Sequence, residues 1–179
     1  MLMMRRLCYW NANLFWDRRC PFMKPGFTLL LAEDDEKDVM LFKHALEVSA
    51  KKASVPVRLA VTKDGEQALA YLKGEGEFSD RTKHPFPDIF VTDLKMPRLN
   101  GLDVLAWLKE HEEYRRIPKI LLSASCEECD VDEAYLLGVN TYFQKPITLN
   151  EFQELVYHIV CYWAHTQRPV IRHRLMLRC

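Results

Sequence analysis

The sequence has no apolar run near the roughly 18 residues that a membrane-spanning helix needs, so an integral helical membrane protein is excluded. It has only six glycines, and none forms a nucleotide-cradling loop: neither G-x-x-x-x-G-K-S/T nor G-x-G-x-x-G follows a strand. There are six cysteines, but only Cys126 and Cys129 stand in a C-x-x-C. No second pair and no histidines at ligand spacing accompany them, which argues against a zinc site, and the motif falls too late in the chain for a thioredoxin-like one. They are read as two thiols in a surface loop or helix start, reduced in a cytosol. The six histidines share no spacing, and none is read as a ligand. No signal peptide is evident either: residues 7–16 are interrupted by Asn11 and Asn13, Asp17 follows, and no small-residue cleavage site appears.

Net charge is also missing, but its absence hides an asymmetry. Residues 1–22 carry +3 and residues 168–179 carry +4, while residues 23–167 hold 17 basic and 24 acidic side chains. An acidic body argues against nucleic acid as the main ligand, and short basic ends are usually solvated. The 179 residues suffice for one well-buried domain. Residues 1–22 are read as an upstream-extended start or a disordered arm, residues 23–166 as the domain, and residues 167–179 as a basic tail.

What is present is alternation. Short apolar runs at 27–32, 57–61, 89–92, 120–122 and 141–144 read as buried strands. Between and after them lie helix-period segments at 36–52, 65–73, 100–111, 127–137 and 149–164. Asp35 is placed to cap the first helix, and Asn100 with Asp103 makes a capping box for the third. Gly138 closes the fourth. Residues 74–87 read as a polar loop. Five such repeats imply an α/β fold, a doubly wound parallel sheet of five strands.

In such sheets functional groups gather beyond the carboxyl ends of the strands. Those ends carry Glu33-Asp34-Asp35, Asp93, Ser123 and Gln144-Lys145-Pro146. Carboxylates this close raise one another's pKa. A divalent cation relieves the repulsion, and an all-oxygen ligand set suits magnesium. The ammonium of Lys145 adds a point charge for a phosphoryl oxygen. Metal and lysine together let the Asp93 carboxylate attack an anionic phosphoryl group and form an aspartyl phosphate. The Ser123 hydroxyl can then donate to a phosphoryl oxygen.

These residues resemble the receiver domain of two-component response regulators, from about residue 27 to residue 164. The motifs are Glu33-Asp34, Asp93 in DLKMPRLNG, Ser123 in LLSAS, and Lys145-Pro146. The resemblance implies a flavodoxin-like strand order 2-1-3-4-5 and a bound Mg2+. It makes Asp34 a direct metal ligand, Glu33 a water-mediated one, Asp93 both acceptor and ligand, and the backbone carbonyl of Lys95 a further ligand. Ser123 becomes the hydroxyl switch residue, Tyr142 the coupled aromatic, and Pro146 the residue after a cis bond. The 74–87 insertion and the terminal CYWAHTQRP resemble the small receivers that partner bacteriophytochromes, of the cyanobacterial phytochrome type.

The resemblance implies a stand-alone cytoplasmic regulator that takes its phosphoryl group from a histidine kinase or a histidine phosphotransfer protein. Only 13 residues follow Thr166, too few for a helix-turn-helix output, so output is expected through contact with a downstream protein. Leu155, Tyr157, Val160 and Tyr162 form a second apolar set on the last helix. This set is either part of a thick core or a homodimer face with the fourth helix and fifth strand. Two rivals stand beside the switch. An aspartyl-phosphate phosphatase or phosphotransferase wants Asp-x-Asp after the first strand. A phosphorylation-independent docking module needs no acceptor.

Overall fold

The structure, a computed structural model, describes residues 26–168. The predicted arm at 1–22 and the tail from 169 onward lie outside the described residues. The elements alternate as β1 (Phe27–Ala32), α1 (Glu36–Ala53), β2 (Val57–Thr62), α2 (Gly65–Lys73), β3 (Ile89–Thr92), α3 (Gly101–Glu110), β4 (Lys119–Ser123), α4 (Glu128–Leu136), β5 (Thr141–Gln144) and α5 (Leu149–His165). The strands form one sheet in the order β2-β1-β3-β4-β5, and every pairing is parallel. Among the described residues no helix is long and apolar enough to cross a membrane.

The apolar runs bury both faces of the sheet, because successive side chains point to opposite sides. Leu29 and Leu31 on β1, with Val91, Ile120 and Leu122, face α1 and α5. Leu30, Ala32 and Phe90 face α2 and α3, and Leu94, Leu105 and Leu121 pack with Ala134 of α4. Burying one such leucine is worth about 1.5–3 kcal/mol, which makes this register costly to shift by one residue.

The helix ends follow local chemistry. The Asp35 side chain accepts from the Lys37 amide and starts α1, and Asn100 and Asp103 form the expected capping box on α3. Helix α4 is one residue shorter at each end than its spacing implied, and Gly138 beyond it takes a positive φ of 88°.

One open choice is decided and three expectations change. Val160 is fully buried in the α1–α5 layer, so it belongs to the core; Tyr162 stays exposed. The 74–87 segment is not merely a polar loop. It holds a 3-10 turn at Gly76–Ser79 whose Phe78 is buried against Tyr71, and Arg81 donates to the carbonyls of Tyr71, Leu72 and His84. Arg168, grouped by sequence with the basic tail, is packed into the domain, donating to the carbonyls of Trp163 and Gly26. Among the described residues no peptide bond is cis, so the bond before Pro146 is trans. An X–Pro bond prefers trans by about 0.5–1 kcal/mol.

Candidate functional site

The parallel register aligns the strand ends. Ala32 of β1 lies opposite Thr92 of β3, and Ser123 of β4 opposite Gln144 of β5. Glu33, Asp93 and Lys145 each stand one residue past a strand. The ladder continues through them: the Asp93 amide donates to Ala32 O at 2.9 Å, and the Lys145 amide to Ser123 O at 2.7 Å. Residues 60 and 112 positions from Glu33 in sequence are thereby fixed around one crevice.

Lys145 is at its centre. Its Nζ lies 2.7 Å from Glu33 Oε2, 2.7 Å from Asp38 Oδ2 and 3.2 Å from Asp93 Oδ2. Burial alone would lower the Lys145 pKa; hydrogen bonds to Asp38 and Glu33 and the charge of Asp93 outweigh it and hold the ammonium above the ordinary lysine range. Glu33 bears the cost. Burial pushes its carboxyl up to about 7, although Lys145 pulls the other way and Asp93 and Asp38 add to the rise. Negative charge is thus in excess in a partly dry pocket.

Asp93 is itself buried. Its Oδ1 accepts from the Leu94 amide at 2.6 Å, while Oδ2 faces Lys145. Its backbone is wedged: a Cβ on Gly101 would sit 2.2 Å from the Asp93 carbonyl oxygen. Glycine at that position is what lets α3 start so close to the acid. Asp34 is exposed. One carboxylate oxygen each from Glu33, Asp34 and Asp93 lie within 4.8 Å of one another, the spacing of a cation site. Three oxygens at this separation fit a hard divalent ion that keeps several waters.

Ser123 is buried at the end of β4, and its Oγ accepts from the Ser125 amide at 3.2 Å. Tyr142 is half-buried beside it, its hydroxyl donating to Ser125 O at 3.0 Å. Burial raises the Tyr142 hydroxyl pKa, and contacts with Ser123 and Ser125 pull it back. The structure therefore gathers Glu33, Asp34, Asp93, Ser123, Tyr142 and Lys145 at one end of the sheet. The Lys95 side chain is exposed.

Two residues escaped the sequence reading. Asp38 holds Lys145 from the first turn of α1, across 107 residues of chain, and no local pattern announces such a contact. Asp64 is fully buried, starts α2 by accepting from the Gln67 amide, and pairs with Arg98 in the β3–α3 loop. Here a signal existed: Asp64 and Gln67 have capping-box spacing, and the Lys63 amide donates to Gln67 Oε1.

Comparison with known proteins fits this geometry. The family model for the response regulator receiver domain matches residues 29–157. The response regulator Rcp1 of Synechocystis is 32% identical over 142 residues, covering 79% of this chain and 92% of Rcp1. The polar-differentiation response regulator DivK of Brucella abortus is 30% identical over 129 residues, covering 72% of this chain and 92% of DivK. Among solved structures, the phosphorylated cyanobacterial phytochrome response regulator RcpA aligns with a TM-score of 0.74 at 33% identity, over 81% of this chain and 99% of RcpA. The Mn2+-bound form of Rcp1 aligns at 0.71 and 31% identity, over 82% and 99% of the two chains. With the strand order, the acidic cluster and the lysine all in place, the chain belongs to the response-regulator receiver-domain family of two-component signalling.

Proposed function

We propose that the chain is a phosphorylation switch, with Asp93 as the acceptor. The observation that carries this reading is the contact of Lys145 Nζ with Asp93 Oδ2 at 3.2 Å beside the three-carboxylate cluster. In the transfer, an Asp93 carboxylate oxygen forms a bond to phosphorus as the bond to the donor's histidine nitrogen breaks, and the imidazole leaves neutral. Lys145 supplies positive charge to the transferring group. The Leu94 amide holds the other Asp93 oxygen and orients the carboxylate.

Asp34 and Asp93 would hold Mg2+ directly, Glu33 through water and Lys95 through its backbone carbonyl; the ion supplies charge neutralisation of the phosphoryl oxygens. The Ser123 hydroxyl, already at the crevice, would turn from the Ser125 amide toward a phosphoryl oxygen. Tyr142 would then give up its bond to Ser125 O and follow, so that the charge is read at the β4–α4 surface. Ile147 is fully exposed and Tyr135 and Leu136 largely so, which supports the α4–β5–α5 face as the surface for a homodimer or a downstream protein. The family and the RcpA and Rcp1 likeness support a cytoplasmic histidine kinase of phytochrome type, or a histidine phosphotransfer protein, as donor.

Incubation with radiolabelled phosphoramidate and Mg2+ tests the reading. The native protein is expected to take one acid-stable, base-labile phosphoryl group, and Asp93→Asn or excess EDTA to abolish it. Continuous turnover of a small phosphate ester would indicate the phosphatase instead. No label at all would indicate a docking module.

A further inference from the structure

We propose that Asp38 is a positioning residue: a separate counter-ion that keeps the Lys145 ammonium from closing on the acceptor carboxylate and on the metal cluster. The inference rests on the reading of Asp93 as the phospho-acceptor and deepens it.

An ammonium has three N–H donors, and Lys145 spends them on three carboxylates, at 2.7 Å to Glu33, 2.7 Å to Asp38 and 3.2 Å to Asp93. The contact to the acceptor is the longest. Glu33 and Asp93 also belong to the acidic cluster that fits a divalent ion, whereas Asp38 does not. A cation at that cluster and the Lys145 ammonium would therefore compete for the same two carboxylates. Asp38 offers the ammonium an anion that no metal claims.

Its placement suits that task. Asp38 lies in the first turn of α1, where the helix dipole favours an anion. Its side chain is 35% exposed, against 4% for Glu33 and 11% for Asp93. Of the three partners it is the one that water replaces most readily when a phosphoryl oxygen arrives and takes the ammonium. Asp38 thus holds Lys145 close to Asp93 without sealing the acceptor oxygen, and releases it on demand.

Without this anion the ammonium settles on Asp93 and Glu33. Both Mn2+ binding and phosphoryl uptake are then impeded, by about three- to fivefold, the size of one partly exposed ion pair. The test compares native protein with Asp38→Asn, Asp38→Glu and Glu36→Gln. Glu36 is a neighbouring acid in the same turn of α1 and pairs with Lys63 at 3.8 Å. Mn2+ affinity is measured by titration, the initial phosphoramidate labelling rate at saturating Mg2+, and Tm for each variant. The expected result is weaker Mn2+ and slower labelling in Asp38→Asn, substantial recovery in Asp38→Glu, and native values in Glu36→Gln. Unchanged Mn2+ affinity and labelling in Asp38→Asn, with a lowered Tm shared by Glu36→Gln, would make Asp38 a helix-end anion only and overturn the proposal. Native protein that binds Mn2+ but takes no label would overturn the acceptor reading, and the Mn2+ comparison would still decide the role of Asp38.

Discussion

The two ends of the sheet each bury basic side chains, and they treat them differently. At the carboxyl end Lys145 is held by the carboxylates of Glu33, Asp38 and Asp93. At the amino end Lys119 donates to the carbonyls of Arg115 and Ile117, and Arg168 to those of Trp163 and Gly26 while its guanidinium lies over Phe27. Asp88 lies 3.7 Å from Arg168 and accepts from the Thr28 amide. At the amino end backbone carbonyls hold the cations, and the contacts close the fold. The carboxyl end carries more anion than one ammonium can balance, which suits the proposed binding of a cation and a phosphoryl group. Loops beyond the carboxyl ends connect strands to helix N-termini, so the ligand end and the structural end are separated by the topology itself.

Substitutions at the two ends should therefore separate function from stability. The largest effect is expected for Lys145→Met, which removes the positive charge facing the transferring group. Phosphoramidate labelling should fall about 100-fold or more, read as initial rate at saturating Mg2+. Next is Gly101→Ala, whose Cβ would meet the Asp93 carbonyl oxygen at 2.2 Å and Leu94 Cα at 3.1 Å. We expect a loss of about 2–3 kcal/mol in urea unfolding, with slowed labelling because the displaced backbone is that of the proposed acceptor. Arg168→Ala should cost about 2 kcal/mol, a fall in Tm of about 4–8 °C, by leaving the partly buried carbonyls of Trp163 and Gly26 without this donor. Its labelling rate should stay native, and a large change there would break the division between the ends.

The smallest effect concerns Lys119, whose pKa burial holds below the usual lysine value of 10.5. Between its folded pKa and 10.5 the unfolded chain binds more protons than the folded one. Native stability should rise with pH across that window. Chemical denaturation of Lys119→Met over the same range should lack that increment.

Much of this was legible in the sequence because it is local. Leu29 to Leu31 could only be a buried strand, Asn100 with Asp103 announced its helix, and the acids, Ser123 and Lys145 each sat at the end of an apolar run. What stayed hidden depends on contacts between distant segments. Asp38 looked like an ordinary acid in a first turn until β5 delivered Lys145 to it. Arg81 and Phe78 sit in a polar stretch whose composition masks one buried ring and an arginine spent on three carbonyls. Val160 was left open between core and an outward face because spacing alone cannot tell how wide a stripe α1 and the sheet will cover. Arg168 looked like one more basic residue of a tail, since nothing nearby reveals that the Gly26 carbonyl awaits it.

The central claim is that convergence of these groups makes the Asp93 carboxylate the one that accepts phosphate. Borohydride reduction of the labelled native protein converts an aspartyl phosphate to homoserine, and peptide mass mapping then locates it. The account predicts homoserine at position 93 and nowhere else. Reduction at position 34 or 38, or phosphate found on Ser123 or a histidine, would contradict it.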